Sequence, residues 1–140
     1  MEEVDLTPRL GDVRQEWHWV QPIVKQLLDD NPDCGTIPED VYHECKAGTA
    51  QLWVSPHYLV ITQFEFDVHS GEKMLFIWFA WSREKGANFG MTVMQFMEQF
   101  AKNNQCKAIT FGTRYQPLID YLCRDMGFRV STQILTREVE

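Results

Sequence analysis

Residues 73–100, KMLFIWFAWSREKGANFGMTVMQFMEQF, join two structural patterns through a short polar break. From Lys73 to Trp81 nearly every residue is apolar, with Phe, Ile and Trp prominent. That composition predicts a central strand covered on both faces of a sheet. Phe89, Val93, Phe96, Met97 and Phe100 then recur at helical spacing, while Thr92, Gln95, Glu98, Gln99 and Lys102 fall on the opposite side. This is the pattern of an amphipathic helix. Between the two lies Arg83-Glu84-Lys85-Gly86-Ala87-Asn88. A loop entering a helix exposes N–H groups that lack intrahelical partners, at the positive end of the helix dipole, so it can hold an anion.

Upstream, Ala50–Val54 and Tyr58–Val68 are rich in Val, Ile, Phe, Tyr and Trp and are bounded by Ser-Pro-His and His-Ser-Gly-Glu turns. With the Lys73 strand they predict three antiparallel strands joined by two hairpins. The alternation Phe64-Glu65-Phe66-Asp67 predicts one apolar and one wet face. Nearer the start, Val13, Trp17, Val20, Val24, Leu27 and Leu28 predict a helix ended by Asn31-Pro32, with Pro22 either kinking it or starting a second. A short strand is expected at Val4 to Leu6. Thr36-Ile37-Pro38-Glu39 has the form of a capping box, so a helix to Lys46 follows, with Gly48 placed to end it.

Downstream, Lys107 to Phe111 predicts a strand and Pro117 to Met126 a helix, with Leu118, Ile119 and Leu122 inward and Gly127 ending it. Phe128 to Thr136 predicts a last strand, with Val130, Thr132, Ile134 and Thr136 on one face. The expected order is (β)ααβββαβαβ, an α/β (α+β) chain forming a single domain over 1–140.

Composition narrows the function classes. With 140 residues, 44% apolar and 13% aromatic, the chain can bury a core, and disorder is excluded as its main state. A net charge of −7 repels phosphate backbones and argues against general nucleic-acid binding. Cys34, Cys45, Cys106 and Cys123 form no C-x-x-C pair, so neither a disulfide framework nor a structural zinc site is expected. The acidic start Met1-Glu2-Glu3 is unlike a signal peptide, and the apolar run Met74–Trp81 is too short to span a bilayer. These features predict a cytoplasmic protein with no membrane partner.

Three strands, a break opening an amphipathic helix, then strand, helix, Gly-Phe and strand: in this order the chain resembles the GNAT superfamily of acyl-CoA N-acetyltransferases. Arg83-Glu84-Lys85-Gly86-Ala87-Asn88 stands where the family has Arg/Gln-x-x-Gly-x-Gly/Ala. Leu122-Cys123-Arg124-Asp125-Met126-Gly127-Phe128 stands where it often has Phe-Tyr-x-x-x-Gly-Phe. Gly48-Thr49-Ala50-Gln51-Leu52-Trp53-Val54, with Gln105-Cys106 and Arg114, is similar to short phage-encoded GNAT-like proteins. The resemblance implies a mixed sheet of 6–7 strands with helices on both faces, and acetyl-CoA as cofactor. It places the pyrophosphate on Arg83, Lys85, Gly86, Ala87 and Asn88, and pantetheine along the backbone of Phe79, Ala80 and Trp81.

Two positions depart from the family pattern. Asn88 ends the phosphate loop, where its side chain can cap the same N–H groups an anion would use. Cys123 replaces the tyrosine that often serves as general acid, and Tyr121 lies two positions away, on another helix face. Glu65 and Asp67, on the wet strand face, are the nearest candidates for a general base, although a solvated face is the commoner meaning of such residues. The catalytic candidates are therefore Glu65, Cys123 and Tyr121.

His43 and Cys45 diverge on a helix, and His57 and His69 sit in turns at opposite ends of one strand, so no metal site is expected. Trp19 lies off the first helix's apolar stripe and is a candidate contact for a protein partner. Two functions stay open: acetyl transfer to a small-molecule or protein amine, in the host cytoplasm if phage-encoded, and a catalytically inactive phage protein with a virion or host-interaction role.

Overall fold

The computed structural model describes residues 7–31, 34–83 and 89–139. Its elements in chain order are β1 (Arg9–Leu10), α1 (Val13–Asp29), α2 (Pro38–Ala47), β2 (Ala50–Val54), β3 (Tyr58–Phe66), β4 (Lys73–Ser82), α3 (Phe89–Asn103), β5 (Ala108–Phe111) and α4 (Gln116–Asp125). The five strands form one sheet in sequence order. The first four are antiparallel, and β5 runs parallel to β4.

Helices cover both faces, as expected. Val13, Val20 and Val24 of α1 and Val41 of α2 pack on Leu52, Leu59, Ile61 and Phe79 to form the first core. Met97 and Ala101 of α3 pack on Trp53, Val60, Leu75 and Ile77 across the sheet to form the second. Trp53 ties the second core together, with its ring edge-on to Phe96 and Phe100, and its indole N–H donates to Thr62 Oγ1 at 2.9 Å. Burying that indole is inexpensive because its one donor is satisfied.

Several element ends differ from the sequence expectation. Helix α1 is continuous through Pro22, starting where the Asp12 carboxylate accepts from the Arg14 N–H at 3.0 Å. The cap of α2 shifts by one residue: Ile37, not Thr36, is the N-cap, and its N–H donates to Asp40 rather than Glu39. Gly48, at φ 84°, ends α2 in the left-handed conformation. Strand β3 stops at Phe66, because the Asp67 carboxylate accepts from the His69 and Ser70 N–H groups and folds the chain into a turn. Phe66 is exposed there, so the expected apolar face does not extend past Phe64.

Among the described residues there are five strands, short of the 6–7 expected. Residues 4–6 lie outside the described residues, and the first strand is instead the two-residue β1. Residues 128–139 form no strand, because none of the described strands pairs with them. Trp19 is also corrected: it is half-buried, packs against the first core and donates its indole N–H to Glu16 Oε2. Its position off the stripe therefore does not leave it exposed.

Candidate functional site

The site forms where β4 leaves β5. Register pairs Met74 through Ile77 with Ala108 through Phe111, but β4 runs on to Ser82. Beyond Ile77 its edge toward β5 has no strand partner among the described residues. A bulge coincides with this parting: Ile77 faces Thr62 but Phe79 faces Ile61, so Trp78 is an extra residue in β4. A one-residue insertion exchanges the faces of everything after it. Leu75 and Ile77 therefore point toward α3, whereas Phe79 points into the first core.

A cavity of about 280 Å³ occupies the gap. Tyr58, Val60, Ile77, Ala80, Trp81 and Ser82 line it from the sheet, and Phe111 from the end of β5. Helix α3 contributes Gly90, Val93 and Met94, and α4 contributes Leu118, Tyr121, Leu122 and Met126, with Phe128 just beyond. The walls are almost wholly apolar. The side-chain polar groups are the hydroxyls of Tyr58, Ser82 and Tyr121 and the indole N–H of Trp81, and the lining described here includes no carboxylate or imidazole.

Gly90 sets how closely α4 approaches. A Cβ at this position would lie 3.1 Å from Tyr121 Oη and 3.3 Å from Met126 Cε. The sequence offered one signal for this contact that the periodicity reading passed over. Glycine near the start of a strongly amphipathic helix costs about 1 kcal/mol against alanine, unless a close neighbour needs the room.

The structure separates the candidate residues. Ala80 and Trp81 line the cavity, while the Phe79 side chain is buried in the first core and leaves only its main chain on that edge. Arg83 anchors the end of β4: its N–H donates to the His57 carbonyl at 2.7 Å and its Nε to the Pro56 carbonyl at 3.2 Å. Its guanidinium lies 5.6 Å from the Trp81 ring. Lys85, Gly86, Ala87 and Asn88 lie outside the described residues.

Of the catalytic candidates, only Tyr121 reaches the cavity. Cys123 is exposed and does not line it. Residues two apart on a helix diverge, so α4 can turn only one of the pair inward. Glu65 pairs with Met74, at the opposite end of β3 from the lining residue Val60. Five residue steps along the strand separate them, about 16 Å.

Elsewhere, burial and then the neighbouring Glu44 charge push the Cys45 thiol up to about 12. The Trp19 hydrogen bond, ahead of Arg9, holds Glu16 below the ordinary carboxylate value. Among the described residues no group of three or more His, Cys, Asp or Glu side chains could hold a metal ion.

No protein-family model matches the chain, and no curated protein matches it. Solved structures do. A mutant of the BH1408 protein from Bacillus halodurans superposes with a TM-score of 0.73 at 13% identity, covering 95% of this chain and 99% of that one. A Trypanosoma brucei acetyltransferase gives 0.69 at 12% identity, covering 98% and 100%. A transcriptional regulator from Bacillus halodurans C-125 gives 0.70 at 16%, covering 95% and 99%. Over nearly its whole length, this chain has the GNAT-like α+β fold that those solved structures share.

Proposed function

We propose that the chain is an acetyl-CoA-dependent N-acetyltransferase-like protein, whose acceptor is an amine on a small molecule or a protein. The observation behind this reading is the parting of β4 from β5 over an apolar cavity. An extended, amide-bearing arm suits such an edge, because its amides can pair with β4 as an added strand would. The apolar walls suit a thioester and a short acyl group.

Bound acetyl-CoA supplies an activated acetyl thioester. The main chain of Phe79, Ala80 and Trp81 orients the arm, and Val93, Met94 and Trp81 exclude water. Arg83 at the rim adds positive charge, and Lys85, Gly86, Ala87 and Asn88 are the proposed pyrophosphate cradle. Tyr121 holds a proton at Oη on the cavity wall, where the leaving thiolate requires one. Glu65 and Cys123 have no part in this arrangement.

One observation favours a second reading. No described lining residue can take the proton from an attacking ammonium. In this reading the site binds without transfer, and the chain acts as a catalytically inactive phage protein in the virion or on a host protein.

Calorimetric titration with acetyl-CoA and CoA tests the site. Micromolar binding is expected, and it should be lost in the Arg83→Ala/Lys85→Ala double variant and in Ala80→Trp. No heat at millimolar ligand, with the protein shown to be folded, overturns the proposal. Thiol release in the presence of a panel of amines then separates transfer from binding alone.

A further inference from the structure

We propose that the thioester this site binds best carries an apolar acyl chain of about six carbons rather than acetyl. The inference rests on the reading that the gap between β4 and β5 takes a CoA thioester, and it names the acyl class. Its basis is a bare stretch of β4. Trp78 and Phe79 both pack on the first core, with ring centroids 5.0 Å apart. Regular alternation would return a side chain to the cavity face at every second residue. Here the cavity face passes directly from Ile77 to Ala80, and three residue steps of strand cover about 10 Å. Val60, opposite Ala80 in β3, floors the trough this leaves.

The trough lies where an acyl group would fall. The proposed pyrophosphate loop follows the end of β4 at Ser82, so the arm runs back along Trp81, Ala80 and Phe79 with its thioester end toward Ile77. Polarity grades in the same direction. Tyr58 and Ser82, the sheet's two hydroxyls on the cavity, are register partners at the entry end, whereas the other end has only Val60, Ile77 and Phe111. That end is closed, because Ile77 pairs with Phe111 where β4 and β5 rejoin.

Length and volume agree on the chain. At about 1.2 Å per bond, the trough is as long as a chain of roughly six to eight carbons. An apolar cavity of about 150 Å³ holds a six-carbon ring, and this one has about 280 Å³, which leaves room for the end of the arm. Acetyl alone would leave the Ile77 end empty, and an apolar wall without a partner forfeits its dispersion contacts. Met94 of α3 and Leu118 of α4 complete the walls, and the unbranched thioether of Met94 adapts to a flexible chain.

Calorimetric titration of the full chain with CoA, acetyl-CoA, hexanoyl-CoA and dodecanoyl-CoA tests the inference. Each fully buried methylene is worth about fourfold in affinity, so hexanoyl-CoA should bind saturably and at least about tenfold tighter than acetyl-CoA. Dodecanoyl-CoA should bind no tighter than hexanoyl-CoA, because the trough is closed. Ile77→Phe shortens the trough and should bring the hexanoyl-to-acetyl ratio toward one. If that variant does not fold, Leu118→Phe, on the half-buried face of α4, reads the same ratio. Binding of CoA and acetyl-CoA with no preference for hexanoyl-CoA overturns the inference and leaves the acetyl-CoA reading standing, whereas binding of none of the four removes both. Affinity that keeps rising to dodecanoyl-CoA also overturns it, since the chain would then lie on open surface. So does a folded variant that keeps the full hexanoyl preference.

Discussion

The two sides of the sheet are built to different standards. The first core, under α1 and α2, holds Val20, Val24, Val41, Leu59 and Ile61 with no exposed surface. The second is as tight at Leu75 and Met97 but loosens toward α4, which buries none of its residues fully and borders the cavity. A packed face holds the fold, and a loosely packed face leaves apolar surface for a ligand to cover. The tighter core and the proposed binding site therefore lie on opposite sides of one sheet.

Cysteine chemistry should show the largest contrast. With its thiol pushed up to about 12, Cys45 on the packed side is on the order of 10⁻⁴ thiolate at pH 8. Labelling by a disulfide reagent at that pH should reach exposed Cys123 at least about a thousandfold faster. Comparable rates would mean that the first core opens readily. Truncation comes next. Leu59→Ala should cost about 3 kcal/mol in denaturant unfolding, whereas Leu122→Ala on the cavity wall should cost less than about 1 kcal/mol. Equal losses would erase the distinction.

The smallest effect is on pH dependence. Because the Trp19 hydrogen bond depresses Glu16, that pair stabilises the fold above the ordinary carboxylate value of 4.5 and loses this as pH falls through the lower folded value. Trp19→Phe should lower stability near neutrality by no more than about 1 kcal/mol and flatten the acid limb of the unfolding curve. An unchanged acid limb would show that the indole contributes only packing.

Legibility in the sequence follows the same division. Both hairpins and α3 could be read because alternation and helical spacing are local properties, strong from Ala50 to Phe100. The choice between Tyr121 and Cys123 was not legible, because it depends on how far α4 is rotated over Gly90, a contact between distant residues. Trp19 misled for a related reason: an indole at the edge of a stripe reaches the core through its length, and Glu16 one turn earlier meets its N–H. The final strand failed for the simplest reason. Val130 to Thr136 has the composition of a strand, but pairing needs an edge, and the chain does not bring the segment to one.

The extra residue at Trp78 makes the second half of β4 a matter of phase. Smoothing out the bulge without shortening the chain, so that Trp78 stood opposite Ile61, would restore an unbroken ladder with β3 and reverse every side chain downstream. Phe79 and Trp81 would then swing into the gap, while Ala80 and Ser82 would fall among the valines of α1. The gap would be filled and the opposite core left hollow, without any lining residue changing its chemical identity. The room for a ligand therefore depends on counting as much as on composition, and in a deletion scan along β4 loss of the extra residue itself should leave the facing of Phe79 to Ser82 unchanged.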